Sequence, residues 1–177
     1  MLGTIDRIVE VALFWAELIG LQVLFLIFIS KGALVGKVFP TSVFLPGYVI
    51  LTSASVTWAV IIAIVTGIGY VIGQFIVFAG TRRYGTSYIT QLPYSTIDPD
   101  SERFDQFDEW FNTYGGLSIF VTNFVPWIRG LVTIPAATSS YSRARYLFHT
   151  TSSTVLYHFI YVGLALAGLE IVAELRE

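Results

Sequence analysis

The chain has 177 residues, of which 55% are hydrophobic and 12% charged, and its mean hydropathy is +0.72. This composition excludes an ordinary soluble domain and predicts an all-α integral membrane protein with a single domain over residues 1–177. A formal net charge of -2 argues against a surface for nucleic acid, and the lack of cysteine excludes disulfides and zinc–thiolate sites. No cofactor or metal is predicted.

Three apolar stretches predict membrane-spanning helices. Residues 11–30 match the ~20 residues that cross a hydrocarbon core about 30 Å thick, and their one internal charge is Glu17. Residues 146–169 form the third predicted span. Between them, residues 56–79 form the second, in which three glycines indicate a face for close helix packing: Gly67, Gly69 and Gly73.

The third predicted span carries two histidines, His149 and His158. At about 100° per residue they lie roughly 180° apart around the helix, so they do not form a two-ligand metal site. A buried, hydrogen-bonded imidazole is predicted for each, and a proton relay through His158 is the functional alternative.

The polar sequence between the second and third spans contains DPDSERFDQFDEWFNTYGG, residues 98–116. Its aromatic residues recur at three- and four-residue steps, which predicts an amphipathic helix. Two interpretations stay open: the helix lies in the membrane interface, or its aromatic stripe packs on the membrane domain. The stripe consists of Phe104, Phe107, Trp110, Phe111 and Tyr114.

Two proline-broken segments resemble each other: FPTSVFLPGY at 39–48 and FVPWIRGLVTIPAAT at 124–138. Prolines at this density remove backbone donors and break helices. If each segment dips into the membrane and returns to the same side, the two form re-entrant hairpins in an inverted repeat. Such paired, interrupted segments indicate a transport site near the midplane.

Arg129 lies within the second broken segment, where a charge costs roughly 2.5–3.5 kcal/mol on insertion scales and therefore needs a partner. A lipid phosphate is one candidate, because a guanidinium binds phosphate through two parallel hydrogen bonds. An ion pair with Glu17 is the other, and the two partners can alternate in one cycle.

The remaining predicted substrate contacts come from both broken segments and from residues that flank them. Lys37, Arg143 and Arg145 are either solvated flanking charges or groups that capture phosphate at each face. The other predicted contacts are Asn123, Pro126, Thr133, Pro40, Ser42, Pro46, Gly47 and Tyr48.

Three crossings distribute the basic residues unequally between the two sides, and the positive-inside rule then places the N-terminus in the cytoplasm. The larger group contains Arg7, Arg82, Arg83, Arg103, Arg143 and Arg145, and the smaller group contains Lys31, Lys37 and Arg176.

FLPG at 44–47, GTRRYG at 80–85 and NFVPWIRGLVTIPAAT at 123–138 resemble the DedA family, also called the SNARE-associated or VTT domain family. The resemblance covers about residues 30–168. It implies two re-entrant hairpins that meet in the membrane and an activity that moves lipids between leaflets. Bacterial members are implicated in recycling undecaprenyl phosphate across the plasma membrane, eukaryotic relatives are phospholipid scramblases, and several bacterial members depend on proton motive force.

The family's charged positions are only partly present. The resemblance implies that the second arginine of the family motif is Arg129, whereas the first falls on Asn123. The acidic residue that often follows FLPG falls on Tyr48, and the upstream acidic position falls near Val35 or Gly36. Proton coupling through the family's usual carboxylates is therefore not expected here.

Together these features predict a non-enzymatic transporter or flippase for an anionic lipid, most simply a polyprenyl phosphate, in the plasma membrane. A phospholipid scramblase, an enzyme acting on lipid phosphates and an assembly factor without a substrate are the alternatives. A homodimer is compatible with the sequence.

Overall fold

A computed structural model describes residues 20–35, 41–92, 98, 101–125 and 128–174. Every element of these ranges is a helix, and the helices lie in the order in which they are named here. They are α1 Gly20–Gly32, α2 Thr41–Leu51, α3 Val56–Tyr84, α4 Ser87–Thr90, α5 Glu102–Tyr114, α6 Gly116–Thr122, α7 Thr133–Thr138 and α8 Arg143–Glu174.

Two of these helices, α3 and α8, are long and apolar enough to cross a membrane: Val56–Tyr84, with 29 residues, and Arg143–Leu169, with 27. The helices predicted over 56–79 and 146–169 are confirmed as candidate spans, although each is longer than predicted. Of the first predicted span, only the part from Gly20 onward lies within the described residues.

Both long helices bury polar side chains and expose apolar ones, the reverse of a soluble core helix. Ile64 and Ile68 of α3 are 47% and 51% exposed. A lipid-facing surface explains this distribution, because polar groups inside a membrane pack toward protein. The buried polar residues are Thr66, Gln74 and Thr81 on α3 and Thr150, Ser153, Thr154 and His158 on α8.

Helices α1 and α3 approach closely at glycines. A Cβ atom on Gly73 would overlap the backbone of Ile29 and Gly32, and one on Gly69 would lie 2.8 Å from the carbonyl oxygen of Phe25. Close packing is thus confirmed at these two positions. Gly67 does not share their face: it lies against His158 of α8, because two residues turn a helix by about 200°.

Separate apolar clusters hold the two ends of the α3–α8 pair. Near the start of α3, Ala59 and Ile62 pack with α1, α2 and the C-terminal part of α8. Near its end, Phe78 packs with Tyr146 of α8 and with α5, α6 and α7. The middle of the pair lies between these clusters.

The amphipathic helix predicted over 98–116 is confirmed as α5. Phe111 is buried, Phe107 packs against the cluster around Phe78, and Phe104 packs against Ile89 and Ile134. Three of the five aromatic residues of the stripe therefore contact the helical domain, as one of the two open interpretations predicts, whereas Tyr114 is 53% exposed.

The two proline-bearing segments differ in the structure. The expectation that prolines break the first segment is wrong for Pro46, because α2 runs through it. The second segment is broken, since α6 ends at Thr122 and α7 begins at Thr133. The mirror symmetry of the two segments is not confirmed.

Candidate functional site

Arg129 lies in the turns that connect α6 to α7. Its backbone N–H donates to the carbonyl of Val125 at 2.9 Å, and the N–H of Thr133 donates to the carbonyl of Gly130 at 3.1 Å. Gly130 has φ +86, a left-handed conformation that non-glycine residues rarely adopt. The chain thus turns at the Arg129–Gly130 pair, and the arginine side chain is buried.

The Arg129 guanidinium lies between two tyrosine rings. Its central carbon is 3.7 Å from the ring centroid of Tyr70 and 3.9 Å from that of Tyr157. Tyr70 is the central residue of α3, and Tyr157 is next to the centre of the Arg143–Leu169 span. The cation is therefore held at the level where both candidate spans are farthest from their ends.

Arg129 is only 6% exposed, and Nε, Nη1 and Nη2 have no hydrogen-bond partner within the described ranges. Each cation–π contact of a desolvated cation contributes about 2 kcal/mol, so two such contacts offset an insertion cost of about 3 kcal/mol. The rings do not satisfy the N–H donors, and each unmet buried donor costs about 1–3 kcal/mol. The site is thus compensated for charge but still short of acceptors.

His158 lies directly behind the tyrosines. Its ring centroid is 5.6 Å from that of Tyr157 and 6.4 Å from that of Tyr70. Nδ1 is 2.8 Å from the Thr154 carbonyl, which can only accept, so Nδ1 carries a hydrogen. In the neutral imidazole Nε2 is then an acceptor, and it has no partner among the described residues. The predicted buried, hydrogen-bonded imidazole is confirmed for His158, whereas His149 is only half-buried.

Asn123 links the turn segment to both long helices. Gln74 Nε2 donates to Asn123 Oδ1 at 3.1 Å, and Asn123 Nδ2 donates to Ser153 Oγ at 2.8 Å. Thr133 contacts the hydroxyl of Tyr146 at 2.9 Å. These bonds fix the two ends of the turn, and a contact of Asn123 or Thr133 with substrate stays a prediction.

The other predicted site residues are distributed as follows. Gly47 and Tyr48 of α2 line an apolar groove against α1, with a cavity volume of about 470 Å³, and Pro46 lies beside them in α2. Ser42 is in the first turn of α2. Glu17, Lys37, Pro40 and Pro126 lie outside the described residues. In the described part of the chain no group of His, Asp or Glu has the arrangement of a metal site.

The sequence interpretation missed Tyr70, Gln74 and Tyr157. A signal was present, because Thr66, Tyr70 and Gln74 recur every four residues and so lie on one face of an otherwise apolar helix. In α8, two further pairs have the same spacing: Ser153 with Tyr157, and Thr154 with His158. Polar stripes of this kind indicate the interior face of a membrane helix.

The VTT domain family model matches residues 45–165. That range contains Tyr70, Asn123, Arg129 and Tyr157. No curated protein and no solved structure gives a significant match to the chain.

Proposed function

This chain belongs to the VTT domain family, also called the DedA family, and from that premise we propose that it moves an anionic lipid between membrane leaflets. The observation that carries the proposal is Arg129, a buried cation between the centres of two spanning helices whose N–H donors lack described acceptors. The proposed lipid is a polyprenyl phosphate, and the proposed location is the plasma membrane.

A phosphate supplies what the site lacks. Its oxygens accept from two guanidinium nitrogens at once, and its negative charge is stabilised in a region from which water is largely excluded. A lipid without a phosphate or another oxyanion group provides neither. The short helices flanking the arginine also support the proposal, because irregular backbone at membrane depth is tolerated where it is buried or lines a cavity.

We propose that the second proline-bearing segment enters the membrane and returns to the same side. α6 has 7 residues and α7 has 6, so each is about 10 Å long and neither crosses a core about 30 Å thick. In the first segment, α2 has 11 residues, or about 16 Å, and is also too short to cross. An inverted repeat of two re-entrant segments is compatible with these lengths.

The proposed orientation places the N-terminus in the cytoplasm. Arg82 donates to the carbonyls of Ser139 and Tyr141 at 2.8 Å, which places the end of α3 beside the start of α8. Arg82, Arg83, Arg143 and Arg145 thus share one side, as the positive-inside argument requires. Because the chain has no cysteine, the single variants Ser87→Cys and Ser53→Cys test this directly: an impermeant thiol reagent added to intact cells should label the Ser53→Cys variant and not the Ser87→Cys variant.

The transport proposal is tested in liposomes that contain a labelled polyprenyl phosphate in one leaflet. Wild-type protein should accelerate its exchange, and Arg129→Ala should reduce the protein-dependent rate at least about tenfold, since the main phosphate contact is lost. Arg83→Ala is the matched control, because Arg83 also lies near a tyrosine but is exposed: its central guanidinium carbon is 5.4 Å from the ring centroid of Tyr84. This variant should leave the exchange rate unchanged.

The alternatives give different results in the same assay. Faster exchange of phosphatidylcholine than of polyprenyl phosphate would indicate a scramblase. Release of inorganic phosphate from the lipid would indicate an enzyme. Equal exchange with and without protein, or a silent Arg129→Ala, would exclude the proposed function.

We propose separately that transport is coupled to protons, with Glu17 as the group that is protonated and His158 as a proton relay. Glu17 would hold Arg129 when phosphate is absent, and protonation would release it. Glu17→Gln should then change both the exchange rate and its dependence on pH. If neither changes, Glu17 takes no part in the cycle.

A further inference from the structure

We propose that Tyr70 and Tyr157 form an aromatic clamp that determines ligand specificity at Arg129. The two rings stabilise the charge on the faces of the guanidinium, and the clamp admits an anion only at the guanidinium edge. The ligand class that fits is an oxyanion with two oxygens in the guanidinium plane, such as a lipid phosphate. This inference rests on the proposed function and assigns two further residues to it.

The two distances require that the rings cover the faces of the guanidinium. Cation–π contacts extend to about 6 Å between cation and ring centroid, whereas the Arg129 central carbon lies at 3.7 Å and 3.9 Å from the two centroids. An edge-on approach at such a distance would push a nitrogen into the ring, because the C–N bond is about 1.33 Å long. The free directions are therefore in the plane, where the N–H groups point.

The clamp is assembled from separate elements that fix its two rings. Tyr70 belongs to α3 and Tyr157 to α8, and both side chains are buried. Tyr157 also stacks on Tyr161, with centroids 4.3 Å apart and planes 28° apart. The gap between the rings is thus set by the packing of α3 against α8, and it matches a flat cation.

A lysine cannot replace the arginine in such a gap. Its ammonium is compact and strongly hydrated, it has no planar faces to cover, and it does not present two parallel donors to one phosphate. The clamp therefore predicts that Arg129→Lys, which keeps the charge, behaves like Arg129→Ala. A site that needed only positive charge would retain activity with lysine.

The test compares tyrosine variants in phosphatidylcholine vesicles that contain a labelled polyprenyl phosphate. Tyr70→Phe and Tyr157→Phe keep the ring faces and should retain the wild-type exchange rate within about twofold. Tyr70→Leu and Tyr157→Leu remove a ring and should each reduce the exchange rate about tenfold. Tyr84→Leu is the matched control, because Tyr84 is on the same helix and contacts Arg83 at its exposed end. Its rate should not change.

Graded ring fluorination provides a second measurement that does not depend on the leucine variants folding. Phenylalanines with one, two or three ring fluorines at position 70 or 157 weaken the cation–π contact with little change in shape. The exchange rate of polyprenyl phosphate should fall stepwise with each fluorine. A merely structural role for the rings predicts no such trend.

The outcomes separate this inference from the proposed function. If Arg129→Ala is inactive but the exchange rate does not respond to ring fluorination, or if Arg129→Lys is fully active, the clamp is excluded and the phosphate site stands. If Arg129→Ala retains the wild-type rate, the proposed function fails and the clamp fails with it. A stepwise loss with fluorination together with an inactive Arg129→Lys supports both.

Discussion

Pro46 lies in the interior of α2, whereas Pro135 lies in the first turn of α7. The first turn of a helix tolerates proline, because the N–H groups there have no partner within the helix. The interior does not, yet α2 continues through Pro46 while its neighbours Leu45 and Val49 are fully buried. Burial of the flanking side chains outweighs the local cost of the proline in the first segment.

In the second segment, turns separate the two short helices, and one of these turns contains a glycine. Gly130, between α6 and α7, has a left-handed conformation. It directly follows Arg129, whose side chain is buried. The first segment contains no charged residue between Thr41 and Leu51, and its groove with α1 is apolar. Similar sequences thus produce one packed helix and one turn that carries a charge.

The largest effect is expected from Gly130→Val. A β-branched residue at φ +86 is strained by roughly 3 kcal/mol, and a Cβ there would lie 3.2 Å from Gln74 Nε2 and 3.4 Å from the Tyr70 hydroxyl. The free energy of unfolding should fall by about that amount, measured by thermal or denaturant unfolding in detergent micelles, and exchange of polyprenyl phosphate should fall with it.

Gly47→Ala gives the matched comparison in the first segment. Gly47 lies within α2, and a Cβ there would meet nothing within 4 Å. Alanine is favoured over glycine in a helix interior by about 0.5–1 kcal/mol, so this variant should be more stable than wild type. If both glycine variants lowered stability equally, the two segments would not differ in the way described.

The sequence was sufficient for those features that depend on local pattern. The spans α3 and α8, the amphipathic helix α5 and the family followed from apolar length, aromatic spacing and motif. The burial of Arg129 also followed, because a charge inside an apolar segment must face protein. These features require no knowledge of how distant helices cross.

Features that depend on packing between distant parts of the chain were not predicted. The pairing of Tyr70 with Tyr157 around Arg129 depends on the register of α3 against α8, which no local pattern encodes. The continuity of α2 through Pro46 depends on what buries Leu45 and Val49. Gly67 was assigned to the wrong face, although the helical period separates it from Gly69 by about 200°.

A smaller loss is expected from Asn123→Ala, which tests how the second segment is anchored. The amide joins Gln74 on α3 to Ser153 on α8, and its removal leaves the Gln74 amide nitrogen without its described acceptor. An unmet buried group of this kind costs about 2 kcal/mol. Unfolding measurements should report this loss.

Thr52→Ala, directly after the end of α2, is the control for that loss. Among the described residues the Thr52 hydroxyl donates only to carbonyls of the last turns of α2, that of Tyr48 at 2.8 Å and that of Val49 at 3.5 Å. Its removal should change stability by less than about 0.5 kcal/mol, as half-buried positions outside a network usually do. A loss as large as that of Asn123→Ala would mean that both segments are anchored alike.

A stabilising effect, like that of Gly47→Ala, is expected from Pro46→Ala. Alanine restores the N–H that the interior of α2 lacks, and part of the gain is offset because the unfolded chain becomes more flexible, so stability should rise by about 1 kcal/mol. Pro135→Ala should bring a smaller gain, because the first turn of a helix tolerates proline. Melting temperatures in the same detergent would compare the two. A rise for Pro135→Ala that equals the rise for Pro46→Ala would contradict the positional explanation, since it would mean that both prolines interrupt a helix.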